Sequence, residues 1–171
     1  IAAAIVAGLG LALVLALMIA PVTALVAGIF LDDVADVVER EDYPGEPVGT
    51  PLPLSRSVVV SLKFLGVVVL GNIAALFLLF VPGINLIAFF VINAYLLSRE
   101  FFEFAAMRYR SEAEAKALRS QYSVTIFTAG LVIAGFLAIP IINLLTPLFA
   151  AAMMIHLHKA ISQREVLKLR R

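Results

Sequence analysis

A chain of 171 residues that is 63% apolar and only 15% charged departs from soluble proteins, which are about 45–50% apolar and about 25% charged. It contains no Cys, which excludes disulfides, thiolate catalysis and Cys-ligated metal centres. A formal net charge of +1 gives no electrostatic footprint for nucleic acid.

The charges are grouped. Every Lys, Arg, Asp and Glu falls within Asp32–Lys63, Arg99–Arg119 or Lys159–Arg171. The intervening runs, Ile1–Leu31, Phe64–Ser98 and Gln121–Ile155, carry none, and the last two are 35 residues long. One helix of that length would reach roughly 52 Å, against a bilayer hydrocarbon core of about 30 Å. Each run is therefore expected to bend. If each is an out-and-back hairpin, the three charged segments share one side of the membrane. The positive-inside rule puts that side, with the C-terminus, in the cytoplasm.

In chain order, Ile1–Ala20 reads as an apolar helix interrupted at Pro21. No basic residue precedes Arg40, so no basic n-region of a cleavable signal peptide is expected, and the chain is expected to open inside a helix. Pro21-Val22-Thr23-Ala24-Leu25 is a degenerate version of a stretch that recurs below. Asp32, Asp33 and Asp36 follow, with Val34, Val37 and Val38 on the other face. This pattern predicts an amphipathic helix with a solvated acidic face, not a calcium loop. Tyr43–Ser55, with four prolines and two glycines, predicts a loop without regular structure.

The next helix enters through Lys63 and runs to Val81. Pro82-Gly83-Ile84-Asn85-Leu86 then bends the second run, and Pro140-Ile141-Ile142-Asn143-Leu144 bends the third. Proline breaks the helical ladder, and Asn is a good N-cap for the helix that follows. Thr146-Pro147 is another possible helix start. Between the two runs, Ser111-Glu112-Ala113-Glu114 is a capping box that opens a short helix to about Ser120, with Glu112 and Lys116 as an i,i+4 pair.

The predicted fold is an all-α integral membrane protein built of helical hairpins broken at these Pro-x-x-Asn-Leu tips. Residues 1–42 form the first hairpin and its acidic extension, and 43–55 a cytoplasmic loop. Residues 56–110 form the second hairpin, 111–120 a short cytoplasmic helix, and 121–171 the third hairpin with its basic tail. The apolar return arms are shorter than the about 20 residues a crossing needs. Either their charged ends reach into the headgroups and the hairpins span, or the hairpins re-enter with tips buried at depth. Backbone that is irregular at depth must be covered by protein or line a cavity.

Two sets of residues are candidates for a substrate path. At the tips, helix N-termini favour anions, Gly83 admits close backbone approach, and Asn85 and Asn143 offer amide donors or merely cap their own helices. Pro82, Pro140 and Pro147 are structural. At the end of a return helix, Arg99 and Glu103 are placed to pair at i,i+4, with Glu100 beside them among Phe101, Phe102 and Phe104. That cluster is an interfacial anchor or a charged mouth that recruits an anion. His156 and His158, at i and i+2, point to different faces of a helix, which is poor metal geometry. No nucleophile–base pair, phosphate loop or metal motif is present, so neither an enzyme nor a cofactor is predicted.

Three stretches carry a resemblance. They are Val81-Pro-Gly-Ile-Asn-Leu-Ile, Leu97-Ser-Arg-Glu-Phe-Phe-Glu-Phe-Ala-Ala-Met-Arg, and Phe136-Leu-Ala-Ile-Pro-Ile-Ile-Asn-Leu-Leu-Thr-Pro. With the acidic stub Phe30-Leu-Asp-Asp-Val-Ala-Asp-Val-Val-Glu, they resemble the CysZ-type sulfate permeases, grouped with the eukaryotic etoposide-induced proteins. The resemblance implies uptake of sulfate across the bacterial inner membrane for cysteine synthesis. It also implies long transmembrane helices with half-penetrating hairpins, and a homo-oligomer. The matched positions are Pro82, Asn85, Arg99, Glu100, Glu103, Pro140 and Asn143. The family's basic Gly-Leu-Arg-Arg-like segment, which resembles a sulfate site, would lie before Ile1. The rival reading is a non-transporting membrane accessory or scaffold subunit whose tips pack against a partner.

Overall fold

The structure, a computed structural model, describes residues 30–53, 55–60, 62–63, 66, 70 and 84–169. The first apolar run, the Pro21 stretch, Pro82 and Gly83 lie outside them. Among the described residues the regular structure is all helical, with no strand.

Residues 30–42 form α1, and 55–60 with 62–63 belong to α2. Helices α3 (Ile84–Met107), α4 (Glu112–Gln121), α5 (Ser123–Leu137) and α6 (Thr146–Leu169) follow, with a 3₁₀ turn at Ile142–Leu145 before the last. Helix α3 is the spine, and α4, α5 and α6 all pack on it.

The capping box forms as its spacing predicts. Ser111 accepts from the Glu114 N–H, and the Glu114 carboxylate accepts from the Ser111 N–H at 2.8 Å. Lys116 Nζ lies 2.6 Å from Glu112 Oε1. Lys63 adds a second cation at 3.1 Å. Hydrogen bonds from Lys116 and Lys63 hold the Glu112 carboxyl down at about 2.

Helix α4 then breaks from α5 by 90° at Tyr122. A helix with two acids in its first turn and apolar Ala115 and Leu118 on its buried side thus turns sharply into one with no charged residue. Polar α4 stays beside the other charged segments while apolar α5 departs from them.

Helices α3 and α5 cross closely. Gly130 is the reason: a methyl there would collide with the Ala94 backbone oxygen and stand 2.5 Å from Ser98 Cβ. Ala94, Ser98, Ala129 and Ala134 complete a small-residue seam of the kind that lets helix backbones approach. At the far end of α5, Phe136 stacks on Phe149 of α6 with centroids 4.4 Å apart.

Packing is uneven along the hairpins. The buried core runs from Ala35 and Ile161 through Phe102 and Met154 to Ile133 and Ala150 along the apolar arms. The outer faces of those arms and the tip are open, with Ile87 68% and Ile141 83% exposed. A soluble protein rarely leaves such a surface uncovered. Among the described residues one stretch, Ile142–Lys168, is long and apolar enough to cross a bilayer. By contrast, the 15 residues of α5 reach roughly 22 Å.

Candidate functional site

Two charge clusters flank α3, and they differ in sign. The first surrounds Arg108, whose guanidinium is fully buried. It pairs with Asp32 and Asp36, and its Nε donates to Glu39 Oε1 at 2.9 Å. Glu39 Oε2 also accepts the Gly49 N–H at 2.7 Å. Thr50 N–H donates to the Arg108 carbonyl at 2.8 Å.

The acidic face of α1 is therefore turned onto the protein through Asp32, Asp36 and Glu39. Val37, expected on the packed side, is 54% exposed. Val34 and Val38 do pack against the core as the period predicts, and Asp33 is exposed, so the buried counter-ion turns part of the acidic face inward without freeing the apolar one. Loop 43–53 has no regular structure, as its prolines predict, but it is fastened by side chains. Tyr43 Oη lies 2.8 Å from His156 Nδ1, and buried Lys159 reaches Glu46 at 2.9 Å and the Pro47 carbonyl at 3.3 Å. His156 and His158 do face apart, since His158 is buried and stacks on Tyr109 at 4.9 Å.

Burial alone would raise the Glu39 carboxyl, but Arg108 and the Gly49 N–H outweigh it and hold it below its ordinary 4.5. A depressed carboxyl stabilises the fold above the unfolded value, and that stability is lost as pH falls through the folded one. Asp32 runs the other way, because burial pushes it above 3.8 and Arg108 only partly offsets this. The protein in detergent is thus expected to lose thermal stability as pH drops below 4.5. Glu39→Gln should flatten that part of the profile. An unchanged acid limb in Glu39→Gln would assign the loss to other groups.

The second cluster carries excess positive charge. Arg99 Nε lies 3.4 Å from Glu103 Oε1, the i,i+4 pair that the spacing predicts. Arg119, from the end of α4, brings its Nε to 2.9 Å from the same oxygen. Two guanidinium groups share one carboxylate that is only 10% exposed. Glu100 is half-buried on the neighbouring face and has no ion-pair partner among the described residues. Arg119 is the residue the sequence does not reveal. It comes from a separate helix, and the α4–α5 bend brings it in. Beside it a groove of about 310 Å³ opens between α3 and the start of α5, lined by Tyr95, Ser98, Ser123 and Phe127.

The tips differ from expectation in their caps. Helix α3 starts at Ile84, so Asn85 lies inside it. Asn143 lies within the 3₁₀ turn, its N–H donating to the Ile139 carbonyl at 3.0 Å, and its side chain is exposed. The turn itself is made by Ile141, at φ 71° and ψ −52°, with Ile142 N–H donating to the Pro140 carbonyl at 2.9 Å. This is a strained γ-turn, costly for a β-branched residue. Helix α6 opens at Thr146 with Pro147 in its first turn. The buried Thr146 hydroxyl oxygen has no partner among the described residues and caps nothing there. The tip does not bring Asn143 to Arg99 or Glu103, and the side chain of Asn85 lies outside the described residues. Among those residues no group of three or more His, Asp or Glu is arranged to hold a metal ion.

A helical chain with an uncovered apolar hairpin and a buried ionic end has the build of a membrane protein. The chain belongs to the family described as sulfate transporter CysZ/etoposide-induced protein 2.4, which matches residues 1–147. No curated protein matches it. The family's description names a sulfate transporter beside the etoposide-induced protein.

Proposed function

We propose that this chain is a sulfate or similar inorganic-anion permease of the bacterial inner membrane, supplying sulfate for cysteine synthesis. The observation that carries the reading is the shared Glu103 carboxylate, which leaves one of the two guanidinium charges of Arg99 and Arg119 uncompensated. In a family described by sulfate transport, such an excess at the mouth of an apolar hairpin attracts a dianion. The hairpin α5–α6 is half-penetrating on this reading, because α5 falls short of the about 30 Å core. Its exposed tip then needs cover, which a second copy of the chain supplies. The charged ends and the C-terminus face the cytoplasm.

The exposed Ile141 and Leu144 also suit the rival reading of an accessory subunit that packs on a partner. Labelled sulfate uptake into proteoliposomes separates the two. The intact chain is expected to show flux above empty vesicles. Arg99→Gln should lower it about tenfold, the worth of one charge-assisted contact, with assembly intact. Flux equal to empty vesicles for the intact chain would sink the transport reading.

A further inference from the structure

We propose that the tip of the α5–α6 hairpin is a two-position hinge, in which the 3₁₀ turn Ile142–Leu145 swings between pivots at Ile141 and Thr146. The observed position is the strained one, and three observations between the pivots say so. Ile141 is the one residue other than glycine with positive φ among the described residues, at 71°, where a β-branched side chain fits poorly. Thr146, at φ −54° and ψ −44°, is helical although Pro147 follows it. A proline ring disfavours the helical region for the residue before it. The Thr146 hydroxyl oxygen is buried without a partner among the described residues.

One rotation answers all three. Turning the Thr146 ψ to the extended region relieves the contact with Pro147. It also makes Thr146 the N-cap of α6, so that its hydroxyl oxygen accepts the N–H of Leu148 or Phe149 while Pro147 takes the first helical position. The 3₁₀ turn then leaves the axis of α6, and Ile141 at its other end returns to negative φ. Backbone strain persists where the surrounding structure over-determines it. Within one copy nothing here does so, because every residue from 138 to 145 is exposed and the turn itself buries none. Beyond the pivots the arms are fixed. Phe136 stacks on Phe149 at 4.4 Å, and Ala150 is fully buried. The movement is therefore confined to the tip, and α5 and α6 stay together while it occurs.

That this movement opens and closes a path rests on the transport reading; the movement itself does not. The test is pulsed electron paramagnetic resonance between nitroxides on Leu144→Cys and Val124→Cys, two exposed positions in a chain with no native Cys. The full chain in lipid nanodiscs is diluted with unlabelled chain, so that only distances within one copy register. Two distances are expected. Ile141→Gly with Pro147→Ala removes both penalties of the observed position. Its share relative to the other should rise about fivefold or more, the low end of what such strain is worth. Thr146→Ala removes the cap from the second position alone and should act in the same direction. Ile141→Pro, which fixes φ at about −65°, should shift the ratio the opposite way. Helix content should stay unchanged, since the tip lies outside the buried core. A single distance in the parent, or two whose ratio ignores these variants, overturns the hinge. Vesicle flux that follows the ratio ties the hinge to transport. Two positions that respond to the variants without flux keep the hinge and remove transport.

Discussion

Replacing Arg108 by Met is expected to cost about 3–5 kcal/mol, because removing one member of a buried ion cluster leaves the others without compensation. Glu39 is as buried as Arg108 itself, each 1% exposed. It cannot turn to water without breaking its bond to the Gly49 N–H. The loss should extend to loop 43–53, since Arg108 also donates to the Gly49 carbonyl. Denaturation in detergent checks the magnitude, and limited proteolysis around Gly45 checks the release of the loop. Neutralising the acids as well, with Asp32→Asn, Asp36→Asn and Glu39→Gln, should recover part of the stability. If Arg108→Met alone melts within about 1 kcal/mol of the parent, which is the range of an exposed pair, the cluster is solvated and its buried geometry is wrong.

Substituting Gly130 by Val should cost about 1–3 kcal/mol, the usual penalty for forcing volume into a packed seam. The new side chain has nowhere to go, because its first carbon meets the Ala94 backbone oxygen and Ser98. Backbone cannot swing aside as a flexible side chain can, so α3 and α5 must separate. That movement would also widen the groove lined by Ser98 and Ser123. A lower thermal midpoint is the expected result. Gly135 is the control, because a methyl there meets nothing within 4 Å. Equal stability of Gly130→Val and Gly135→Val would refute the close crossing.

Local features were legible in the sequence. The capping box at Ser111, the Glu112–Lys116 pair and the Arg99–Glu103 pair each lie within one helical turn. Spacing alone determines whether such side chains meet. The separation of the two histidines onto opposite faces followed from the same geometry. Contacts between distant elements were not legible. Arg108 meets Glu39 across 69 residues of sequence, and no periodicity in α1 announces a partner that far away. Arg119 reads as an ordinary surface arginine at the end of a short polar helix until the bend at Tyr122 is known. At the third-run tip, Pro140 marked the break, but no rule of composition predicts that Ile141 would take the positive φ. Asn143 looked the natural cap and is instead carried inside the turn.

The clamp on Arg108 also sets an order of events during synthesis. Glu39 leaves the ribosome 69 residues before its counter-ion and Asp32 leaves 76 before it. At about 5–20 residues per second, α1 waits roughly 3–14 s for Arg108, with Asp36 paired only to Arg40 on its own helix. Over that interval its acidic face is best satisfied by water, so α1 is expected to stay hydrated until residue 108 is made. The arrival of Arg108 then draws α1 and loop 43–53 onto α3 in one closure. Assembly of the ionic end is thereby coupled to completion of the second run, and a chain stalled before Arg108 would display its acidic helix undocked.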